Sequence, residues 1–151
     1  MSEQISGRDK VRIETLPTGV PGLDEILGSG LPAYSFNIIA GPPGGGKTTL
    51  AHQIIFANAT PERPALYFTV LGEPALKMLR YQQQFEFFDQ AKLNGAIRFV
   101  NLSQLVLAHD LNAVVEEIIG EVEAANPGIV VVDSFRTVVR KAQPGAGDLE
   151  L

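Results

Sequence analysis

The chain has 151 residues, of which 45% are apolar, enough for one domain with a hydrophobic core. It carries 12 Lys and Arg against 17 Asp and Glu, a formal charge of −5, and no long basic run offsets that balance. This charge argues against a duplex-binding protein, so we expect no nucleic acid partner. The absence of cysteine excludes a disulfide framework, a thiolate zinc site and a thiol nucleophile.

The N-terminal ten residues are polar and lack the apolar centre of a signal peptide. No apolar run approaches the ~20 residues that a membrane-spanning helix needs. We therefore expect a cytoplasmic protein without a membrane partner.

In the N-terminal third of the chain the sequence predicts short strands, a brief helix and one longer helix. A short strand is predicted at 11–13, followed by a brief helix whose apolar face, with Ile26 and Leu27, we expect to pack on a sheet edge. Residues 35–40 form an apolar run typical of a buried strand. Residues 49–58 repeat apolar side chains at helical spacing.

The rest of the chain alternates strands with helices. Strands are predicted at 65–70, 96–101 and 129–133, and the clearest helix runs over 111–125 behind Asp110 as its N-cap. A helix is also predicted to restart near Pro74. This alternation predicts an α/β fold, a parallel sheet with helices on both faces. In such a fold a ligand lies beyond the carboxyl ends of the strands.

Phe85, Phe87 and Phe88 form an aromatic cluster after the second strand. We interpret it as core or helix-packing surface, because base-stacking platforms usually accompany a cationic groove. His52 is interpreted as a packed or solvated side chain.

A glycine-rich stretch satisfies the pattern G-x-x-x-x-G-K-[ST] of a phosphate-binding P-loop. It consists of Gly41, Pro42, Pro43, Gly44, Gly45, Gly46, Lys47, Thr48 and Thr49. Glycines let the backbone wrap an anion closely, and N–H groups at a helix start favour negative charge. A glycine-rich turn with a chance lysine is the alternative, but strand, loop and helix follow in the order that the mechanism requires. The stretch therefore predicts a nucleoside triphosphate site.

Thr48 of the loop and Asp133 together form the predicted magnesium site. Lys47 is predicted to reach the β- and γ-phosphates, and the Thr48 hydroxyl to complete the shell of Mg²⁺. Asp133 closes an apolar strand, where a P-loop nucleotidase keeps its second magnesium-associated carboxylate. Its alternative role is to start a turn.

Hydrolysis also requires a carboxylate that positions and deprotonates a water. Glu73, which follows the second strand, is the candidate catalytic base, and Lys47 is its catalytic partner at the phosphates. The alternative for Glu73 is a helix N-terminal residue that the helix dipole favours.

Three stretches of the chain resemble the KaiC-like circadian-clock ATPases of the RecA-like superfamily. Residues 18–32 resemble the lead-in of that family, 41–49 is the shared P-loop, and 129–134, ending Asp-Ser, resembles its Walker B strand. The resemblance implies ATP and Mg²⁺ bound at subunit interfaces of a ring, often a hexamer, with slow hydrolysis used for signalling or timing. We expect a RecA/KaiC-like ATP-binding domain at 16–142. From their composition we also expect a polar lead-in at 1–15 and a flexible tail at 143–151.

The chain departs from this family pattern in two respects. Where KaiC-like proteins close the second strand with a pair of glutamates, counting back from Pro74 gives Leu71 and Gly72, and Glu73 is displaced by one position. The chain also ends too soon to supply the strand that follows the Walker B strand. We therefore expect a fragment of a longer protein, or a sheet that a neighbouring chain completes.

Three functions are compatible with these patterns. The first is an ATP-binding regulatory ATPase module of the KaiC type. The second is a non-hydrolysing ATP sensor that switches its binding to an unknown protein partner, which the missing glutamate pair suggests. The third is a RecA-type DNA recombination or repair ATPase, against which the acidic charge counts.

Overall fold

A computed structural model describes residues 12–70, 75–108 and 110–134. In chain order its elements are β1 (Thr15–Leu16), α1 (Leu23–Leu27), β2 (Leu31–Pro32), α2 (Lys47–Asn58), β3 (Ala65–Thr69), α3 (Ala75–Gln82), a 3-10 helix (Gln90–Asn94), β4 (Ile97–Asn101), α4 (Ser103–Ala108), α5 (Leu111–Ala125) and β5 (Ile129–Asp133). The predicted α/β class is confirmed. The strands predicted at 65–70, 96–101 and 129–133 lie within one residue of β3, β4 and β5.

A parallel three-stranded sheet in the order β4-β3-β5 forms the centre of the fold. Tyr67 on β3 lies opposite Phe99 on β4 and Val131 on β5. The chain leaves β3 for one neighbour and then returns to the other, so its direction of travel reverses beside β3. Ligands of open α/β sheets bind at the carboxyl ends of strands at such a reversal. The topology therefore predicts a ligand site at the carboxyl ends of β3 and β5.

Helices cover both faces of this sheet, as predicted. On one face α2 packs against alternate strand residues, and the buried cluster there includes Ile55, Phe56 and Tyr67. On the other face α4 and α5 pack against the intervening residues, and Leu66, Phe68 and Val114 are buried among them. All five residues of β3 are buried, because the strand is paired on both edges and covered on both faces.

The predicted long helix is confirmed as α5, with both of its ends capped. The side chain of Asp110 accepts a hydrogen bond from the Ala113 amide at 2.9 Å, and Asn126 ends the helix in the left-handed conformation. Glu121 of this helix forms an ion pair with Arg98 of β4 at 2.8 Å.

The phenylalanine cluster packs as the sequence predicts. The rings of Phe87 and Phe88 lie 5.8 and 5.2 Å from the ring of Phe56 on α2. Phe85 stacks on Phe87 at 5.3 Å and is 40% exposed. The cluster is therefore helix-packing surface.

The lead-in, which is taken here as residues 12–32, differs from its prediction. Residues 12 and 13 form no strand, and β1 pairs with β2 instead, as a short antiparallel ladder. The predicted packing of α1 on a sheet edge is wrong, since α1 has no buried residue and Ile26 is 83% exposed. Polar contacts hold this helix, because one oxygen of Asp24 accepts bonds from both the amide and the hydroxyl of the buried Thr18.

The lead-in is fixed to α2 by amide side chains. Gln53 donates to the carbonyl of Gly19 at 3.0 Å, and Asn58 donates to the carbonyl of Pro17 at 2.7 Å. A side chain on Gly19 would meet the Ala57 side chain at 2.6 Å, so the two backbones approach as closely as glycine allows. The lead-in therefore reinforces the helix that carries the P-loop.

The prediction of a buried strand at 35–40 is wrong for this structure. These residues join no ladder among the described residues, and Phe36 and Ile38 are 82% and 78% exposed. The physical reason is that a strand requires a paired neighbour. Within the described part of the chain β5 pairs only with β3. An apolar run indicates the tendency to form a strand, but it does not supply the partner.

None of the helices in the described residues is long and apolar enough to cross a bilayer.

His52 on α2 is a buried, neutral core side chain. Its ring has no exposed surface and lies 4.7 Å from the ring of Tyr67 and 5.8 Å from that of Phe99. Neither ring nitrogen meets a hydrogen-bond partner in good geometry among the described residues. Burial lowers the pKa of His52 to about 4, and the nearby Gln82 side chain and the charge of Asp133 oppose this shift only in part. The predicted packed histidine is confirmed.

We expect Gly30→Ala to lower the free energy of unfolding by at least about 2 kcal/mol. Gly30 has φ +114°, and a Cβ there would collide with the carbonyl oxygen of Leu16 on β1. Gly28→Ala is the matched control, because Gly28 has φ +76° with no atom in the way of a Cβ. Its cost is only that of the left-handed backbone, about 1 kcal/mol. Equal losses in urea unfolding of the two variants would contradict this account of the β1–β2 turn.

We expect His52 to make the fold less stable as the pH falls from about 6.5 to about 4. The folded-state pKa lies below the unfolded value, so in this window the unfolded chain binds a proton that the folded chain does not. At pH 5 the difference from neutral pH is about 2 kcal/mol. Unfolding of the parent and of His52→Leu, measured at both pH values, tests it. A loss on acidification that is equal in both proteins would contradict the assignment.

Candidate functional site

The P-loop leads directly into α2, which begins at Lys47. Gly46 is the N-cap, with φ +79°, and has no side chain that caps the first-turn amides. A Cβ on Gly45 would lie 3.0 Å from the carbonyl oxygen of Pro42, so a side chain there would press into the loop. The loop therefore presents uncapped N–H groups at a helix start, the arrangement that binds phosphate.

The Lys47 side chain lies across this loop. Its Nζ donates hydrogen bonds to the carbonyl oxygens of Gly41 at 2.9 Å and of Pro42 at 2.7 Å. An ammonium group has three donors, so one remains after these two bonds. The contacts hold the positive charge at the loop that presents the uncapped amides.

The Thr48 hydroxyl and the Asp133 carboxylate meet at this end of the sheet. Thr48 Oγ1 donates to Asp133 Oδ2 at 2.7 Å, a contact between residues 85 positions apart. A hydroxyl that donates its proton keeps its lone pairs for a cation. The structure thus brings together the two side chains that the sequence assigns to magnesium.

Tyr67 is a third member of this cluster, which the sequence analysis missed. Its hydroxyl donates to the same Oδ2 of Asp133 at 2.7 Å. The register explains the contact, because Tyr67 lies opposite Val131 and Asp133 follows two residues later on the same face of β5. A tyrosine in a fully buried strand requires an acceptor for its hydroxyl. This requirement was the feature of the sequence that could have indicated a role for Tyr67. The acceptor was evident only once the pairing of β3 with β5 was known.

Tyr67 keeps its proton in this environment. Burial raises the pKa of the Tyr67 hydroxyl well above its ordinary value, and the hydrogen bond to Asp133 raises it further. The phenol is therefore a neutral donor, and Asp133 receives two neutral donors on one oxygen.

The residues present fit a magnesium nucleotide. Among the described residues no group of three His, Cys, Asp or Glu side chains could hold a metal alone. Mg²⁺ in nucleotide sites typically takes one or two protein ligands together with phosphates and waters. A hydroxyl and a carboxylate beside uncapped amides and a lysine match that donor set.

The candidate base lies outside the part of the chain that the structure describes. Glu73 belongs to 71–74, together with Leu71 and Gly72, so its role stays a prediction. Pro43, Gly44 and Thr49 lie in the loop and the first turn of α2, where the pattern requires them.

Known proteins resemble this chain in sequence and in fold. A family model described as "ATPase: KaiC" matches residues 16–147. The DNA repair protein RadA of Mycobacterium tuberculosis is 33% identical over 134 residues, which are 89% of this chain and 25% of that protein. RadA of Rickettsia bellii is 35% identical over 144 residues, 92% of this chain and 28% of that protein. This chain therefore spans about a quarter of the length of these relatives.

A crystal structure supports the same grouping. A KaiC-like protein from Pyrococcus horikoshii superposes with a TM-score of 0.69 at 25% sequence identity, over 85% of this chain and 59% of that one. The superposition shows a shared RecA-like core, and the family model extends over most of the chain. Because this model covers residues 16–147, the chain belongs to the KaiC ATPase family.

Proposed function

We propose that this chain is the Mg-ATP-binding module of a regulatory KaiC-type ATPase that hydrolyses ATP slowly. The observation that carries the proposal is the 2.7 Å bond between Thr48 and Asp133 at the start of the P-loop helix. It joins the hydroxyl and carboxylate that a magnesium nucleotide requires, next to the uncapped amides of α2.

Each residue of the site has a distinct role in this proposal. The loop amides bind phosphate oxygens, and Lys47 exchanges its bonds to the Gly41 and Pro42 carbonyls for bonds to the β- and γ-phosphates. Thr48 and Asp133 hold Mg²⁺, which neutralises negative charge on the phosphates when bound. Glu73 orients and deprotonates the attacking water, and its displaced position is consistent with slow turnover.

Family membership supports a wider proposal for the assembled protein. KaiC-like proteins bind ATP at subunit interfaces, so we propose a ring of subunits, a hexamer, in the cytoplasm. Sedimentation velocity with and without ATP tests the assembly, and a monomer under both conditions contradicts it.

A non-hydrolysing ATP sensor is the second candidate. Leu71 and Gly72 stand where relatives carry the glutamate pair, and this substitution favours binding without turnover. In this role ATP occupancy would change the affinity for a protein partner. Turnover by the parent protein that is lost in Glu73→Gln would reject it.

A DNA repair ATPase is the third candidate, which the similarity to the DNA repair protein RadA favours. The formal charge of −5 opposes a phosphate-backbone contact by this part of the protein. ATP-dependent binding of single-stranded DNA by the chain would support it.

We expect Lys47→Ala to weaken ATP binding at least about tenfold, because charge-assisted bonds to phosphate are lost. Titration calorimetry in Mg²⁺ measures the change. Arg98→Ala is the charge-matched control, since Arg98 lies on β4 in a surface ion pair with Glu121. Unchanged affinity in Lys47→Ala, with a folded protein, would reject the P-loop assignment.

We expect Glu73→Gln to retain ATP binding and to reduce turnover about 100-fold or more, because the amide cannot accept the proton of water. Phosphate release under single-turnover conditions measures this loss. Glu123→Gln on the exposed face of α5 removes the same charge away from the site. Wild-type turnover in Glu73→Gln would show that another group is the base.

A further inference from the structure

The Tyr67 ring is enclosed on the face of the sheet that α2 covers. Its side chain has no exposed surface, and the rings of His52 and Phe99 lie 4.7 and 5.3 Å away. The β3 backbone on which it stands is paired on both edges. The hydroxyl at the end of this ring is therefore held in a narrow range of positions.

That hydroxyl is one of two donors to the Asp133 carboxylate. Oδ2 receives the protons of both Tyr67 and Thr48, each at 2.7 Å, from donors on different elements. Two donors on one oxygen restrict rotation of the carboxylate.

We propose that Tyr67 is a positioning residue that orients Asp133 toward the magnesium ion of the bound nucleotide. This role rests on the proposed function. Thr48 donates to the carboxylate and would also share its oxygen with the ion, whereas Tyr67 donates to the carboxylate without binding the ion. Tyr67 supplies it from the rigid strand β3.

A purely structural role for the hydroxyl predicts a different result. A buried tyrosine hydroxyl needs some acceptor, and its removal then changes stability alone. A positioning role predicts a specific effect on magnesium. Tyr67→Phe removes the hydroxyl and keeps the ring that packs against His52 and Phe99.

The first test measures the Mg²⁺ dependence of binding of a fluorescent ATP analogue. In Tyr67→Phe we expect the Mg²⁺ concentration at half-saturation to rise about tenfold. Affinity in EDTA stays at the parent value, because the loop and Lys47 are intact. In an Asp133→Asn background the same substitution has no further effect on the Mg²⁺ requirement. Tyr81→Phe is the matched control, at a tyrosine that is 62% exposed.

The outcomes separate this inference from the function on which it rests. A parent-like Mg²⁺ requirement in folded Tyr67→Phe overturns the positioning role and leaves the proposed function standing. An equal loss of affinity with and without Mg²⁺ also overturns it, since a structural role gives that result. A parent protein whose ATP binding does not depend on Mg²⁺ overturns the proposed function and this inference with it.

A second measurement leaves Tyr67 in place. The chain has three tyrosines and no tryptophan, and the other two, Tyr34 and Tyr81, are 90% and 62% exposed. Replacing both by Phe leaves Tyr67 as the only emitter. A carboxylate that is hydrogen-bonded to a phenol quenches tyrosine emission by taking its proton in the excited state, so we expect Asp133→Asn to raise emission in this background. We also expect addition of Mg²⁺ and ATP to change the emission of Tyr67 over the concentration range in which the nucleotide binds. Emission that responds to neither change overturns the proposal.

Discussion

The hydrogen bonds that converge on Asp133 link the three elements from which the site is built. Thr48 comes from the first turn of α2, Tyr67 from the middle of β3, and Asp133 from the end of β5. Thr48 depends on the loop that starts the helix, and Tyr67 and Asp133 depend on the register that pairs their strands. A shift of one residue in the β3–β5 register would turn Asp133 to the opposite face, so the register is a condition for the site.

The remainder of the structure maintains this geometry. Hydrophobic packing on both faces keeps β3 in the centre of the sheet, and the lead-in attaches to α2 through Gln53 and Asn58. Contacts far from the phosphate loop therefore help to hold α2 in place. The buried neutral ring of His52 packs against Tyr67. Because burial lowers the pKa of His52, this packing reduces the stability of the fold only in acid.

Much of this arrangement follows from local sequence rules. The P-loop pattern located Lys47 and Thr48, and an aspartate at the end of an apolar strand located Asp133, because each depends on short-range order. The predictions that were wrong depended on contacts between residues that lie far apart in the sequence. The run at 35–40 has the composition of a strand but no paired neighbour in the described chain. The apolar face of α1 is exposed because Asp24 and Thr18 hold that helix instead. The contact of Tyr67 with Asp133 could be recognised only from the register of β3 and β5. The role of Glu73 stays a prediction because 71–74 lie outside the described residues.

The most direct test of the central claim compares ATP with AMP in the parent chain by calorimetry in the presence of Mg²⁺. A site built from loop amides, Lys47, Thr48 and Asp133 recognises the β- and γ-phosphates, which AMP lacks. The account predicts saturable binding of ATP that weakens when Mg²⁺ is chelated, and no comparable binding of AMP. Equal affinity for both nucleotides, or no binding of ATP, would contradict it.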